Sequence, residues 1–339
     1  MHLPVVPGHR CGCMVLKQKE HSRDIGWHKR RFQQIVHSIP NYISELHDIH
    51  NLKEGTDWLY YKFPYRFKLR QFPPRATVEF TNHCNFACGY CPRSIMSRSV
   101  GHMDLKLFES LVLQLEAGGC SILKIGGLGE PVLHPAFAQM MATLRHIRMR
   151  VCLYTNGSLF CQLPPEQICQ WNIHTIVLSI DGLNPSSFEQ QRKGGNYSEI
   201  RNAASGFASY KIHSKPILEI RHVIVPNETV SDLRTFSKDW LKVGDTVKFN
   251  YLIPLRPQGE SVPSDVRCRD IRREVYIRWD GRLLLCATQD RQHPPQWLGD
   301  ATKNSISELW FDVRLEDLRS MHANRKGNLP TWCQNCAFR

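Results

Sequence analysis

The stretch "ATVEFTNHCNFACGYCPR", residues 76–93, passes from an apolar, β-branched run to three cysteines, Cys84, Cys88 and Cys91. Its first six residues read as a strand, and the cysteines that follow have almost nothing around them that could enter a hydrophobic core. Thiolates this close together are soft ligands, suited to zinc or to an iron–sulfur cluster. A structural zinc site takes four protein ligands, and His83 and Cys120 are the local candidates to complete one. A cluster held by three cysteines would instead leave one iron open. Spacing alone keeps both readings.

Working outward from this strand, helix-like and strand-like segments alternate. "DLKLFESLVLQLEAGG" sets Leu107, Phe108, Leu111, Val112 and Leu115 on one helical face, with Asp104 as N-cap and Gly118 and Gly119 at the exit. The strand "SILKIGG", a helix near 135–148, the strand "RVCLYT", a short helix after Pro164 and Pro165, and the strand "TIVLSI" come next. A helix from about 197 to 210, the strand "ILEIRHVIV", the helix "SDLRTFSKDWL" and the strand "TVKFNYLI" complete the series. Six strands alternating with helices predict an α/β fold of βαβ units, a parallel sheet closed fully or partly into a barrel. Chemistry in such barrels sits at the C-terminal ends of the strands, which is where the cysteines fall.

Two flanking regions differ. Residues 1–75 read as a partly helical N-terminal extension, in which Phe32, Ile35, Val36 and Ile39 fit one face before Pro40. After the barrel, placed at 76–258, residues 259–339 form a smaller unit. "REVYIRWDGRLLLCA" predicts a hairpin with Asp280 and Gly281 as a two-residue type I′ turn, and Ser305 with Glu308 has capping-box spacing before an amphipathic helix. Cys268, Cys286, Cys333 and Cys336 supply four ligands for a closed site, a zinc ribbon or an iron–sulfur cluster.

The chain of 339 residues has no run of eighteen apolar residues and no secretory signal at its start, so a cytoplasmic location is expected. In that compartment thirteen cysteines point to metal or redox chemistry rather than disulfides. The formal charge of +13 is spread along the chain rather than concentrated, which argues against nucleic acid as partner. Cys120 and Cys152 border strands and read as small buried hydrophobes, while Cys11 and Cys13 are assigned no site.

Tyr90 just before Cys91 makes the first cluster a CxxxCxΦC pattern, Φ being aromatic. "GGLGEP" at 126–131, "YTNGS" at 154–158, "LSIDG" at 178–182 and Arg192 follow in order. In these motifs, from about residue 76 onward, the chain resembles the radical S-adenosylmethionine (radical SAM) superfamily. The resemblance implies a partial (β/α)6 barrel in which Cys84, Cys88 and Cys91 hold a [4Fe–4S] cluster whose open iron takes the amino and carboxylate groups of S-adenosylmethionine (SAM). It implies Gly126, Gly127 and Gly129 as the loop beside SAM and Glu130 as partner of its ammonium. It further implies Tyr90 against the adenine, Ser179 and Asp181 on the ribose with Asn156 and Ser158 at the neighbouring strand end, and Arg192 on the carboxylate. The C-terminal cysteines, with "LGD" and "SISELW" between them, resemble the SPASM and twitch extensions, and four cysteines imply one auxiliary [4Fe–4S] cluster, at Cys268, Cys286, Cys333 and Cys336.

The expected activity is reductive cleavage of SAM, with electrons from reduced flavodoxin or ferredoxin, and hydrogen-atom abstraction from a polar small molecule, the auxiliary cluster moving an electron. Arg221 and Arg256 at strand ends suit a substrate bearing carboxylate or phosphate. A maturase of ribosomally made peptides is the alternative, and a non-catalytic zinc or iron–sulfur protein binding nucleic acid is the alternative of another class. No membrane association is expected. No residue is singled out as a catalytic acid, base or radical quencher.

Overall fold

In the computed structural model of the chain, residues 14–16, 63–210, 216–225, 227–251, 267–286, 297–324, 329–334 and 336 are described. The helix expected between Phe32 and Ile39, the Cys11 and Cys13 pair, and Arg256 lie outside them. After a short strand β1 (Met14–Leu16), strands β2 (Arg75–Val78), β3 (Ile122–Ile125), β4 (Arg150–Thr155), β5 (Ile173–Ser179), β6 (Ile217–Ile224) and β7 (Thr246–Tyr251) follow in sequence order. Strands β2 to β7 are neighbours in that order and all parallel. Between them run helices α1 (Leu105–Ala117), α2 (Phe137–Thr143), α3 (Pro165–Gln170), α4 (Pro185–Gln191), α5 (Tyr197–Tyr210) and α6 (Val230–Trp240). This is the parallel core of an open barrel.

Both edges are extended. Strand β1, which the sequence pattern did not suggest, lies antiparallel on β7. On the other side β8 (Glu274–Ile277) pairs parallel with β2, and β9 (Arg282–Leu284) and β10 (Trp297–Asp300) continue antiparallel, so one sheet runs from the barrel into the C-terminal region. Helices α7 (Ile306–Trp310), α8 (Val313–Asn324) and α9 (Thr331–Gln334) complete that region.

The predicted caps are present. Asp104 accepts from the backbone N–H groups of Lys106 at 2.9 Å and Leu107 at 3.1 Å, and Ser305 and Glu308 form a reciprocal capping box. The helix expected over 135–148 stops at Thr143, and the chain then turns so that the Arg148 N–H donates to the Glu116 carboxylate at 3.0 Å. The β8–β9 connection also differs from expectation. A type I′ turn needs positive φ at both central residues; Gly281 has φ +80°, but Asn227 is the sole non-glycine with positive φ among the described residues, so Asp280 does not qualify. Instead the Gly281 N–H donates to Arg278 and the Arg278 N–H to Arg282, both at 3.0 Å, which closes a three-residue loop of Trp279, Asp280 and Gly281 with the glycine as its bulge.

The sheet has two unlike faces. Ala76, Val78, Leu123, Ile125, Val151, Leu153, Ile176, Leu178, Leu218, Ile220, Val247 and Phe249 are buried on the face that the helices cover. Phe80 meets Phe108 of α1 edge-on at 4.8 Å, and Phe249 meets Phe236 of α6 at 6.0 Å. On the alternate positions stand Arg75, Thr77, Lys124, Cys152, Tyr154, Glu219, Arg221 and Lys248. A fully packed parallel sheet would be apolar on both sides. A polar inner face instead marks a barrel that encloses a site.

Candidate active site

The chain leaves β2 through Glu79, Phe80, Thr81 and Asn82, all buried, and reaches Cys84 at the C-terminal end of the sheet. The returning segment is stitched over this loop. Thr81 donates its hydroxyl to the Gly101 carbonyl at 2.7 Å, and Asn82 accepts from Gly101 N–H at 2.8 Å and donates to the Ser99 carbonyl at 2.8 Å. The Cys91 N–H donates to Cys88 at 3.1 Å. Burial pushes the Cys88 thiol up to about 11; Arg192 opposes this, while Cys91, Asp181 and Cys84 add to it. Burial also raises Cys84. Thiols held so are poor anions on their own and become thiolates when a cationic centre takes them. Among the described residues no three His, Cys, Asp or Glu side chains converge as ligands of a single ion would. Three thiols carried on one loop are soft donors of the kind that hold an iron–sulfur cluster. Cys120, the other candidate for a fourth ligand, is buried ahead of β3, at the opposite end of the sheet.

The turn after β3 lies directly on this loop. A Cβ on Gly129 would stand 2.2 Å from the Thr81 carbonyl oxygen and 2.6 Å from that of His83, an approach open only to glycine. The Glu130 N–H donates to His83 at 2.8 Å. The Glu130 side chain, 2% exposed, accepts from the Thr155 hydroxyl at 2.7 Å, the Asn156 N–H at 2.6 Å and the Val132 N–H at 3.3 Å. Burial lifts its carboxyl to about 7 against these donors. Among the described residues no cation forms an ion pair with it.

At the end of β4, Asn156 donates to Asn85 at 3.0 Å and to the Cys84 Sγ at 3.8 Å, and accepts from the Ser158 N–H at 2.8 Å and hydroxyl at 2.7 Å. Beyond β5, whose last residue is the half-buried Ser179, Asp181 is fully buried. It accepts from Arg192 Nε at 2.7 Å, from Val223 N–H at 2.6 Å, and from the Tyr90 hydroxyl. The expected ribose, carboxylate and adenine residues, Asp181, Arg192 and Tyr90, are thus joined to one another, and Tyr90 brings the cysteine loop into the group.

Glu79 was not singled out from the sequence. Its carboxylate takes Arg98 in a two-pronged contact at 2.8 and 2.6 Å and the Leu128 N–H at 3.2 Å, joining the cysteine loop to the glycine turn. The available signal was a single carboxylate within the strand-like run "ATVEFT". In the C-terminal region burial raises the Cys268 thiol, and Cys286 and Cys336 lie close enough to add to that shift. The Cys268 N–H donates to His322 Nδ1 at 3.2 Å, its carbonyl accepts from the Tyr65 hydroxyl at 2.7 Å, and the Cys336 N–H donates to the Cys333 carbonyl at 3.3 Å.

The Radical SAM superfamily profile matches residues 78–239, and the SPASM profile, an iron–sulfur cluster-binding domain, matches residues 268–337. The chain is 24% identical over 313 residues to the tungsten-containing aldehyde ferredoxin oxidoreductase cofactor-modifying protein of Pyrococcus furiosus, covering 77% of this chain and 86% of that protein. With the GTP 3′,8-cyclase of Xanthomonas campestris pv. campestris it shares 26% identity over 211 residues, 58% of this chain and 59% of the cyclase, less than two thirds of that relative. The structure of Streptococcus suis SuiB bound to precursor peptide SuiA superposes with TM-score 0.57 at 16% identity, over 80% of this chain and 73% of SuiB, a likeness of fold. The two profile matches indicate SAM binding and iron–sulfur chemistry. Among the described residues no helix is long and apolar enough to cross a membrane. With its three-cysteine loop at the end of β2 and its second cysteine group beyond the barrel, the chain carries a radical SAM domain over residues 78–239 and a SPASM iron–sulfur domain over residues 268–337.

Proposed function

We propose that the chain is a radical SAM enzyme with two [4Fe–4S] clusters that acts on a polar small molecule. One cluster is assigned to Cys84, Cys88 and Cys91, the other to Cys268, Cys286, Cys333 and Cys336. The observation that carries this reading is the meeting, at one end of the parallel sheet, of the cysteine loop, the Gly126–Gly127–Gly129 turn and the Tyr90–Asp181–Arg192 group. When bound, the first cluster and SAM supply a 5′-deoxyadenosyl radical able to take a hydrogen atom from an unactivated C–H bond.

The protein's part is to hold and orient. Glu130 is a buried carboxylate to which an ammonium group is the missing complement, and the glycine turn leaves backbone groups exposed beside it. Asp181 and Arg192 hold each other, and we assign the ribose to Asp181 with Ser179, Asn156 and Ser158, the carboxylate to Arg192, and the adenine to the Tyr90 ring. The second cluster is assigned electron transfer, with reduced flavodoxin or ferredoxin as donor to the enzyme. The named relatives, a cofactor-modifying protein and a GTP cyclase, favour a small molecule over the peptide bound by SuiB.

Anaerobically reconstituted protein given dithionite and SAM should form 5′-deoxyadenosine, and a Cys84→Ala variant should not. Protein that retains its iron and SAM yet yields none would refute the proposal.

A further inference from the structure

Three side chains on the inner sheet face stand out near the site end. Glu219 of β6 is 5% exposed in its side chain, and Arg221 and Lys248, both bound to it, are 20% and 21% exposed. The acid is covered, and each cation keeps about a fifth of its side-chain surface accessible. Burial works to raise the Glu219 carboxyl, but Arg221 and Lys248 outweigh it and the net shift is downward, so the group is fully ionised at neutral pH. Arg221 is also held against Tyr154 of β4, its guanidinium 5.1 Å from the ring centre and Nη1 donating to the hydroxyl at 3.3 Å. A planar fork already fixed on two sides loses little freedom when it takes a second oxyanion.

Register places this group beside the proposed cofactor. Arg221 pairs with Ser179 on one side and Lys248 on the other, and Val223, two residues further along β6, donates to Asp181. A similar group of Glu274 with Arg75 and Lys124 provides the contrast. It lies on β2, β3 and β8 toward the far end of the strands, where Arg75 pairs with Glu274 at the first register position, and it serves the join between barrel and C-terminal sheet.

We infer that the substrate carries an anionic head group, phosphate or carboxylate, held by Arg221 and Lys248 with Glu219 as their shared counter-ion. This deepens the reading above and rests on it. The test uses full-length, anaerobically reconstituted protein with SAM, titrated calorimetrically with inorganic pyrophosphate and with malonate. One of the two should bind saturably; pyrophosphate the tighter identifies a phosphate, malonate the tighter a carboxylate. Binding should weaken about tenfold or more in Arg221→Gln and in Lys248→Gln and stay within about threefold in Arg221→Lys. It should be unchanged in Arg148→Gln, which removes one charge from a side chain 90% exposed. Iron content and melting temperature identify a variant that has not folded, in which case the other two substitutions carry the test. No saturable binding of either anion, or equal weakening in Arg148→Gln, overturns the proposal. Formation of 5′-deoxyadenosine by the unaltered protein is read in parallel, so a chain that makes it and binds neither anion refutes the head-group assignment alone.

Discussion

A carboxylate sealed from water costs several kcal/mol unless donors or a cation compensate it. Glu130 has three donors and, among the described residues, no cation in an ion pair with it, and its carboxyl rises from 4.5 to about 7. Because the folded value is raised, its contribution to stability is full below about 4.5 and is lost as pH climbs through 7. An ammonium group arriving beside it reverses the shift and expels the remaining proton. Near pH 7, SAM binding should therefore release up to about half a proton, seen as a binding heat that depends on the ionisation enthalpy of the buffer. Glu130→Gln should reduce that dependence to the part left by other groups and weaken SAM binding about tenfold. Identical heats in all buffers would show that no cation meets this carboxylate. Glu130 and its glycines were legible because they form a motif. Glu79 was not, since its value lies in reaching Arg98 and Leu128 from different loops, which no local pattern records.

Two glycines and a cap separate what elements need for folding from what the site needs. On Gly129 a methyl would strike the Thr81 and His83 carbonyls, which are backbone and cannot swing aside. Gly129→Ala should displace the turn from the cysteine loop and cost SAM affinity as well as stability, measured together by calorimetry and thermal melting. Gly206, inside α5, has nothing within 4 Å of a new Cβ, and Gly206→Ala should stabilise the chain by about 0.5–1 kcal/mol with SAM affinity unchanged. Asp104→Ala removes the acceptor for two N–H groups at the start of α1 and should cost about 1 kcal/mol in a denaturant titration, again without effect on SAM. This cap and the Ser305–Glu308 box were readable because side chain and partner lie within three residues of each other. The β8–β9 turn misled because Asp280–Gly281 is a common type I′ pair, whereas here Arg278 and Arg282 face each other and shift the glycine to a bulge.

The alternation of six strands with helices disclosed the barrel, since each βαβ unit is local and its handedness is fixed. It did not disclose how the C-terminal region attaches. Pairing of β8 with β2 joins segments about two hundred residues apart, and neither Arg75–Glu274 nor Thr77–Glu274 can be inferred from composition. That attachment makes the sheet continuous from the parallel barrel strands to the hairpin that precedes Cys286. Burial works to raise the Glu274 carboxyl, yet Arg75 and Lys124 bring it down to about 2, so its contribution is full above the ordinary carboxylate range and lost only as pH falls toward 2. The join should therefore survive mild acid, and losing the C-terminal ligands should not unseat the barrel. Two cubanes per chain predict about eight iron atoms by chemical analysis, falling to about four in a Cys268→Ala, Cys286→Ala double variant that still cleaves SAM to 5′-deoxyadenosine. If the C-terminal cysteines form a zinc ribbon instead, the same variant loses zinc and keeps all its iron. If the two cysteine groups are structurally inseparable, it loses both iron pools and SAM cleavage together, and the division of labour between the two clusters falls.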